Sequence, residues 1–290
     1  MVQLANVALS IALADLWRSW GISPDLIIGH SLGEYAALHI AGVLSANDVF
    51  YLVGSRAKAL QERCTPGTHA MLAVSGSLEA LKQELNKPEF GKCQIACRNS
   101  PNMHVVSAKT EIIRVFQSHL QSRGFRTKLL KVQHGFHSEQ IEPILPDIEM
   151  LAKRVHFAKP RIPIASTLLG SIVENSSDFG PTYLARQSRE EVKFTEALEA
   201  ARFSGIVNEN TIWVEVGPEP VCLDLVRDSL QIPAARLLPS IKKGDPCFKT
   251  LAISLAMGYN VGVNIDWTKI HHEYRNALSL LELPTYSFDM

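Results

Sequence analysis

This sequence predicts an α/β fold: a parallel sheet flanked by helices, with a smaller unit inserted in it. Three observations carry that expectation. Short apolar runs alternate with amphipathic stretches over residues 1–68 and again over 132–240, the rhythm of β-α units with buried parallel strands. Between them, residues 69–131 change to the order β-α-β-β-α-β, which is the ferredoxin-like order. Finally, Asp25-Leu-Ile-Ile-Gly-His-Ser-Leu-Gly-Glu-Tyr35 sets a short apolar strand, a Gly-x-Ser-x-Gly turn and a helical run in direct succession. That is the setting of a nucleophile elbow, in which a sharp turn lifts a serine Oγ out of a sheet. The large unit is therefore expected to be α/β-hydrolase-like. The two glycines, Gly29 and Gly33, would let strand and helix approach closely, and the head of the helix would aim N–H groups at Ser31.

The elements follow in order. Residues 1–20 read as a helix buried through Leu4, Val7, Ala8, Ile11 and Leu16. Such a domain more naturally opens on a strand, so a further segment is expected upstream. Leu26–Ile28 is a strand and Glu34–Ile40 a helix. Ser45 to Asp48 forms a capping box, and the helix after it runs to about Glu62. Its apolar stripe is Val49, Val53 and Leu60, and Arg56 falls on that stripe. Two readings are open: an arginine laying its stem on the core with its head in water, or a guanidinium awaiting an anion.

In the inserted unit, Ala70–Val74, Gln94–Cys97, His104–Ser107 and Thr127–Val132 read as strands, with helices at Ser77–Leu85 and Glu111–Ser122. Gln133-His-Gly-Phe-His-Ser138 then precedes a helical stretch, Glu139–Arg154. Arg161–Ala165, Trp213–Val216 and Leu237–Ser240 read as strands; Tyr183–Gln187, Glu190–Ala201 and a run from Val221 read as helices. Residues 241–290 hold one helix, Cys247–Met257, and an extended tail over Leu283–Asp289, and are expected to form a linker packed on the core.

Bulk composition narrows the function. Lys plus Arg and Asp plus Glu both total 29, which argues against nucleic acid as the main partner and against a polybasic membrane anchor. The five cysteines lack a framework or zinc spacing, so reduced thiols and a cytoplasmic setting are expected, without a metal. The apolar opening is broken by Asp15 and Arg18, with no basic segment before it, so a secretory signal is not expected. No uncharged apolar run reaches membrane-spanning length.

An exposed serine needs a base. His30 adjoins Ser31 inside the turn, where a structural role is expected. His134 and His137 lie in a loop after a strand and follow the serine at a long interval, so either fits. No acidic residue stands at an obvious strand end to orient the base. A dyad oriented by a backbone carbonyl or an amide side chain fits better.

Gly29-His-Ser-Leu-Gly-Glu-Tyr-Ala-Ala37, Arg56, His134-Gly-Phe-His137 and Trp213-Val-Glu-Val-Gly-Pro218 occur in this order. Together they resemble the malonyl-CoA:acyl carrier protein acyltransferase family, and most closely the acyltransferase domain of fungal non-reducing polyketide synthases. Gly67–Val74 and the tail ending at Asp289 also resemble that group, so the likeness covers nearly the whole chain. It implies that Ser31 carries the malonyl group and His137 is the base. Gln187 matches the family's base-orienting position, and Arg56 matches its malonate-binding arginine. Leu32 would give half of the oxyanion hole through its N–H, and His30, His134 and Phe136 would stand around the substrate. The Gly in His-Gly-Phe-His replaces the family's Ala, in a motif associated with malonyl selection. No cofactor is implied, because phosphopantetheine is carried by the partner. The implied partners are malonyl-CoA, an acyl carrier protein and other synthase domains. The family's upstream Gly-Gln-Gly strand, which gives the other oxyanion donor, is not found before Ser31. A weakly active or inactive chain is therefore the expectation. A serine hydrolase or thioesterase is the alternative, separated by Arg56, which an esterase does not need. A carrier-docking module is another: Arg123, Arg126, Lys128 and Lys131 could face an acidic carrier or simply form a solvated face.

Overall fold

The computed structural model describes residues 2–279 and 281–282. Helix α1 (Val2–Ser19) buries Val7, Ile11 and Trp17. The chain then crosses to β1 (Ile27–Ile28), turns into α2 (Gly33–Ile40) and continues through α3 (Ala46–Arg63). Ser45 caps α3 by accepting from the Asp48 N–H at 3.1 Å, as its sequence requires. Helix α2 is almost wholly buried, through Tyr35, Ala36, Ala37 and Leu38. Burial of each large apolar side chain of this kind contributes roughly 1.5–3 kcal/mol, which holds the elbow's helix against the sheet.

Residues 69–131 contain β2 (His69–Ser75), α4 (Leu78–Leu85), β3 (Gln94–Ser100), β4 (Met103–Lys109), α5 (Thr110–Ser122) and β5 (Arg126–Leu129). Their strands lie antiparallel in the order β5-β2-β4-β3. Glu84 on α4 receives Lys87 at 2.5 Å, His119 of α5 at 2.6 Å and Arg123 at 3.5 Å. The hydrogen bonds from Lys87 and His119 pull its carboxyl from 4.5 down to about 2. A depressed carboxylate stabilises the fold above its unfolded value and loses that contribution as the pH falls through the folded one. Replacement by glutamine in Glu84→Gln should therefore flatten the stability loss between about pH 4.5 and 2, as read by thermal unfolding across that window. Arg123 is thus drawn to Glu84, whereas Arg126 and Lys128 stand exposed on the edge strand β5.

The chain returns through α6 (Leu145–Ala152), β6 (Ile164–Ser166), β7 (Ser171–Val173), α7 (Pro181–Arg189), β8 (Val192–Lys193) and α8 (Phe194–Phe203). It closes with β9 (Trp213–Glu215), α9 (Val221–Leu230), β10 (Leu237–Pro239), α10 (Cys247–Asn260) and α11 (Trp267–Ile270). Pairs β1·β6 and β9·β10 are parallel. The sheet expected as one piece is divided into β1-β6-β7 and β10-β9, and a cleft of about 270 Å³ is lined from both parts by Ile28, Gly29, Ala36, Val214 and Val216.

Other expectations change as well. The helix expected over Glu139–Arg154 begins as a 3₁₀ segment, Glu139–Ile144, with Pro143 inside it; proline lacks the N–H that an α-turn needs. Glu190–Lys193 is not helical: Val192 and Lys193 add β8 to the small sheet, parallel to β3. That sheet therefore takes a fifth strand from outside residues 69–131. Residues 241–270 pack on the core. Leu251, Leu255 and Ile265 form a buried cluster with Trp17 of α1, whose indole donates to Ser240 Oγ at 2.8 Å. The extended tail read at Leu283–Asp289 lies outside the described residues. Among the described residues no helix is long and apolar enough to cross a membrane.

Of the two elbow glycines, only Gly29 mediates a close approach. A Cβ there would stand 2.5 Å from Glu34 Cα, whereas nothing lies within 4 Å of one at Gly33. The obstacle is backbone, which cannot swing away. The expected cost of Gly29→Ala is therefore about 2–3 kcal/mol, at the upper end of overpacking penalties. Urea unfolding measures it, with Gly33→Ala as the near-neutral comparison.

Candidate active site

Ser31 follows β1 with φ of 52° and His137 follows β5 with φ of 58°. Non-glycine residues in this region are strained by about 1–3 kcal/mol and persist where their surroundings dictate them. Around Ser31 the turn is closed by the Gly33 N–H on His30 O at 2.9 Å and the Glu34 N–H on Ser31 O at 3.1 Å. Around His137 it is closed by Gln140. Its Oε1 accepts from the Gly135 N–H at 2.6 Å, and its Nε2 donates to Thr65 O and Thr68 Oγ1, both at 2.9 Å. Gly135 admits no side chain, since a Cβ would meet Ser107 Oγ at 2.5 Å and His69 Cβ at 2.8 Å. This explains glycine in the His-Gly-Phe-His run.

These two strained turns meet. Ser31 Oγ lies 2.7 Å from His137 Nε2, and His137 Nδ1 lies 2.8 Å from the Glu190 carbonyl. A carbonyl only accepts, so Nδ1 carries the proton and Nε2 presents its lone pair to the serine hydroxyl. Burial lowers the His137 pKa to about 3, against a smaller upward pull from the Glu190 carbonyl. The imidazole is therefore neutral, and able to accept a proton, through the whole physiological range. Like-charge effects from Arg56 and His30 push the same way.

Arg56 is buried on α3, with 4% of its surface exposed. Its Nη1 donates to Gln3 Oε1 of α1 at 2.6 Å, and its Cζ stands 5.7 Å from the centre of the Phe136 ring. Its Nε is buried and has no hydrogen-bond partner among the described residues. Burying a guanidinium with a free donor costs stability unless an anion takes that donor. Of the two readings left open, the structure excludes a head in water.

The remaining expected site residues divide. Leu32 stands at the head of α2 and Phe136 beside Arg56. His30 is held away from the serine by Asn99 Oδ1 at 2.7 Å and packs on Phe194, which ties the elbow to the small sheet. His134 is buried against the Cys64 carbonyl at 3.3 Å, away from the Ser31–His137 hydrogen bond. Gln187 does not reach the base with its side chain. Its Nε2 donates to Ser31 O at 2.8 Å, bracing the nucleophile's own peptide, while the Glu190 carbonyl orients His137. The sequence reading missed Gln3, Asn99 and Glu190. The first two are distant polar residues on ordinary elements, and the third acts through its backbone, so no side-chain pattern announces it. Among the described residues no group of three or more His, Cys, Asp or Glu side chains could hold a metal.

A serine on such a turn, hydrogen-bonded to a neutral imidazole that a carbonyl orients, is the arrangement a nucleophilic serine in an α/β fold requires. The family profile for the acyl transferase domain matches residues 1–262, and the chain belongs to that family. It is 47% identical over 288 residues to a non-reducing polyketide synthase of Cladonia metacorallifera, covering 99% of this chain and 14% of that protein. It thus spans about one seventh of the relative's length. The acyltransferase domain from the second module of the salinomycin polyketide synthase superposes with a TM-score of 0.85 at 31% identity, over 97% of this chain and 64% of that one. MCAT from Streptococcus pneumoniae superposes with a TM-score of 0.77 at 26% identity, over 89% and 81%.

Proposed function

We propose that this chain moves a malonyl group from malonyl-CoA to the phosphopantetheine thiol of an acyl carrier protein, within polyketide biosynthesis in the cytoplasm. The observation that carries this reading is Arg56, a buried guanidinium with an unsatisfied N–H beside the Ser31–His137 pair. A free malonyl carboxylate is the anion that would complete it, through a charge-assisted pair. In the first half-reaction His137 Nε2 takes the Ser31 proton as Oγ attacks the thioester carbonyl. The developing oxyanion is received at the Leu32 N–H, at the positive end of α2. Collapse expels the CoA thiolate, which takes the proton from His137. In the second, the carrier thiol gives its proton to His137 and attacks the serine ester, and Ser31 leaves reprotonated. Gln187 would hold the Ser31 peptide still through both steps. Other domains of the synthase would be its neighbours. The divided parallel strands and the antiparallel β5-β2-β4-β3 order support the α/β-hydrolase-like core with a ferredoxin-like unit.

Hydrolysis is the competing outcome, and Arg56 argues against it, since a neutral ester offers nothing to a buried cation. Intact-mass analysis after incubation with malonyl-CoA should show one adduct of about 86 Da, the mass that one malonyl ester adds. Addition of the phosphopantetheinylated carrier should discharge it, while the unmodified carrier should not. An adduct that water removes faster than the modified carrier does would replace this reading with a thioesterase.

A further inference from the structure

Behind the elbow lies a carboxyl group that the acyl-transfer chemistry leaves unused. Glu34, in the first turn of α2, is 1% exposed. Its Oε2 lies 2.8 Å from Thr167 Oγ1, and its Oε1 receives the Tyr183 hydroxyl. Thr167, just past β6, also reaches the Gly29 carbonyl at 2.9 Å. Tyr183 lies on α7, one turn before Gln187, and its OH is 2.7 Å from Ser166 Oγ. One carboxyl thus joins three parts of the site: the helix that follows the nucleophile, the strand end that precedes it, and the helix whose Gln187 and Glu190 hold Ser31 and His137.

Counting hydrogens shows which form of Glu34 fits. The Thr167 hydroxyl has one hydrogen and two acceptors in reach, Gly29 O and Glu34 Oε2. With Glu34 ionised, its carboxylate competes with the Gly29 carbonyl for that hydrogen. With Oε2 protonated, Glu34 donates to Thr167, Thr167 donates to Gly29 O, Tyr183 donates to Oε1 and Ser166 donates to Tyr183. Every hydrogen is then used once.

We propose that Glu34 is a positioning residue whose protonated form braces the Gly29–Ser31 turn against α7, keeping the Ser31–His137 contact, and whose ionisation loosens it. This rests on the acyl-serine reading above. Desolvation lifts the Glu34 carboxyl from 4.5 to about 7, against smaller downward pulls from Tyr183, Thr167 and Ser166. The titratable and charged groups around it are Tyr183 of α7, Tyr35 of its own helix and, acting on Tyr183, Arg186. Both phenols are pushed up by burial and stay neutral. A raised carboxyl stabilises the fold below its unfolded value and loses that contribution as the pH rises through about 7. His137, with a pKa of about 3, gives no change in the same range, so a limb near neutrality belongs to Glu34.

The test is the single-turnover rate of Ser31 acylation, read by quenched intact mass from pH 5.5 to 8.5, together with melting temperature over the same range. The wild-type rate should fall roughly threefold or more as the pH rises through about 7. In Glu34→Gln the rate at the acid end should be kept and the limb should vanish, because the amide can donate to Thr167 and accept from Tyr183 without ionising. In Tyr183→Phe, which removes a bond that favours the carboxylate and cuts the link to α7, the acid-end rate should fall and the remaining limb should move to higher pH. An unchanged limb in both variants overturns the proposal. Should Glu34→Gln fail to fold, the direction of the Tyr183→Phe shift decides alone. If the wild type forms no adduct, the acyl-serine reading falls and the positioning role with it; the melting-temperature profile then still reports whether Glu34 titrates.

Discussion

Ser31→Ala should abolish the malonyl adduct and reduce carrier loading on the order of 10⁶-fold, as loss of a serine nucleophile does in enzymes of this logic. The expectation follows from the geometry. Ser31 Oγ is the hydroxyl that meets the lone pair of His137 at 2.7 Å, and that imidazole is neutral across the assay range. The variant should fold normally, since alanine inherits the same strained φ of 52° and keeps the backbone bonds of the turn. His137→Ala should cost nearly as much, and the double variant little more than either, because nucleophile and base act as one unit. Two single losses that multiply in the double variant would mean that some other group activates Ser31.

Arg56→Ala should separate acidic from neutral acyl groups. A hydrogen bond from a charged group to a buried carboxylate contributes about 1.5–3 kcal/mol, so malonyl loading should fall roughly 10- to 150-fold. Acetyl loading should rise or stay level, because the cation that a neutral acyl group leaves unpaired is gone. The fold should survive: deletion of the guanidinium removes a buried free donor, which offsets part of the void left against Phe136 and Gln3. Circular dichroism and the acetyl rate together separate loss of recognition from loss of structure. Equal losses for both substrates would mean that Arg56 supports the dyad rather than the carboxylate. Gln3→Ala should give a milder version of the same selectivity change, since Gln3 Oε1 fixes one arm of the guanidinium at 2.6 Å.

Much of this was legible from residues 25–35 and 133–138, because an elbow is a local pattern: apolar strand, small residue, nucleophile, helix. The stripe position of Arg56 was legible for the same reason, although its meaning was not. A helical period states that a side chain faces inward, but whether it meets water, a carboxylate or nothing depends on α1 and Phe136, brought there from distant stretches of chain. Choosing between His134 and His137 needed the turn itself. Three positions apart, one is buried on Cys64 and the other on Ser31, because Gln140 and Ser138 lock the loop between them. Gln187, expected to orient the base, turns its side-chain amide to the serine, while its backbone joins the Glu190 carbonyl in bonding His137. The base is oriented by a carbonyl at the end of α7, and every residue has a carbonyl, so composition carries no trace of that choice.

The amino-acid sequence by itself determined the α/β alternation, the inserted β-α-β-β-α-β unit, the elbow at Ser31 and the inward-facing Arg56. Each depends on period, capping or a turn within a few residues. Only the tertiary structure decided which histidine meets the serine, what holds that histidine, that Arg56 Nε is buried without a partner among the described residues, and that Glu34 is sealed behind the turn. Those outcomes are set by burial and by hydrogen bonds between groups up to 156 residues apart, such as Gln187 and Ser31. Desolvation then turns the resulting proximity into chemistry: it keeps His137 neutral, lifts the Glu34 carboxyl, and makes an unpaired N–H on Arg56 a site that calls for an anion.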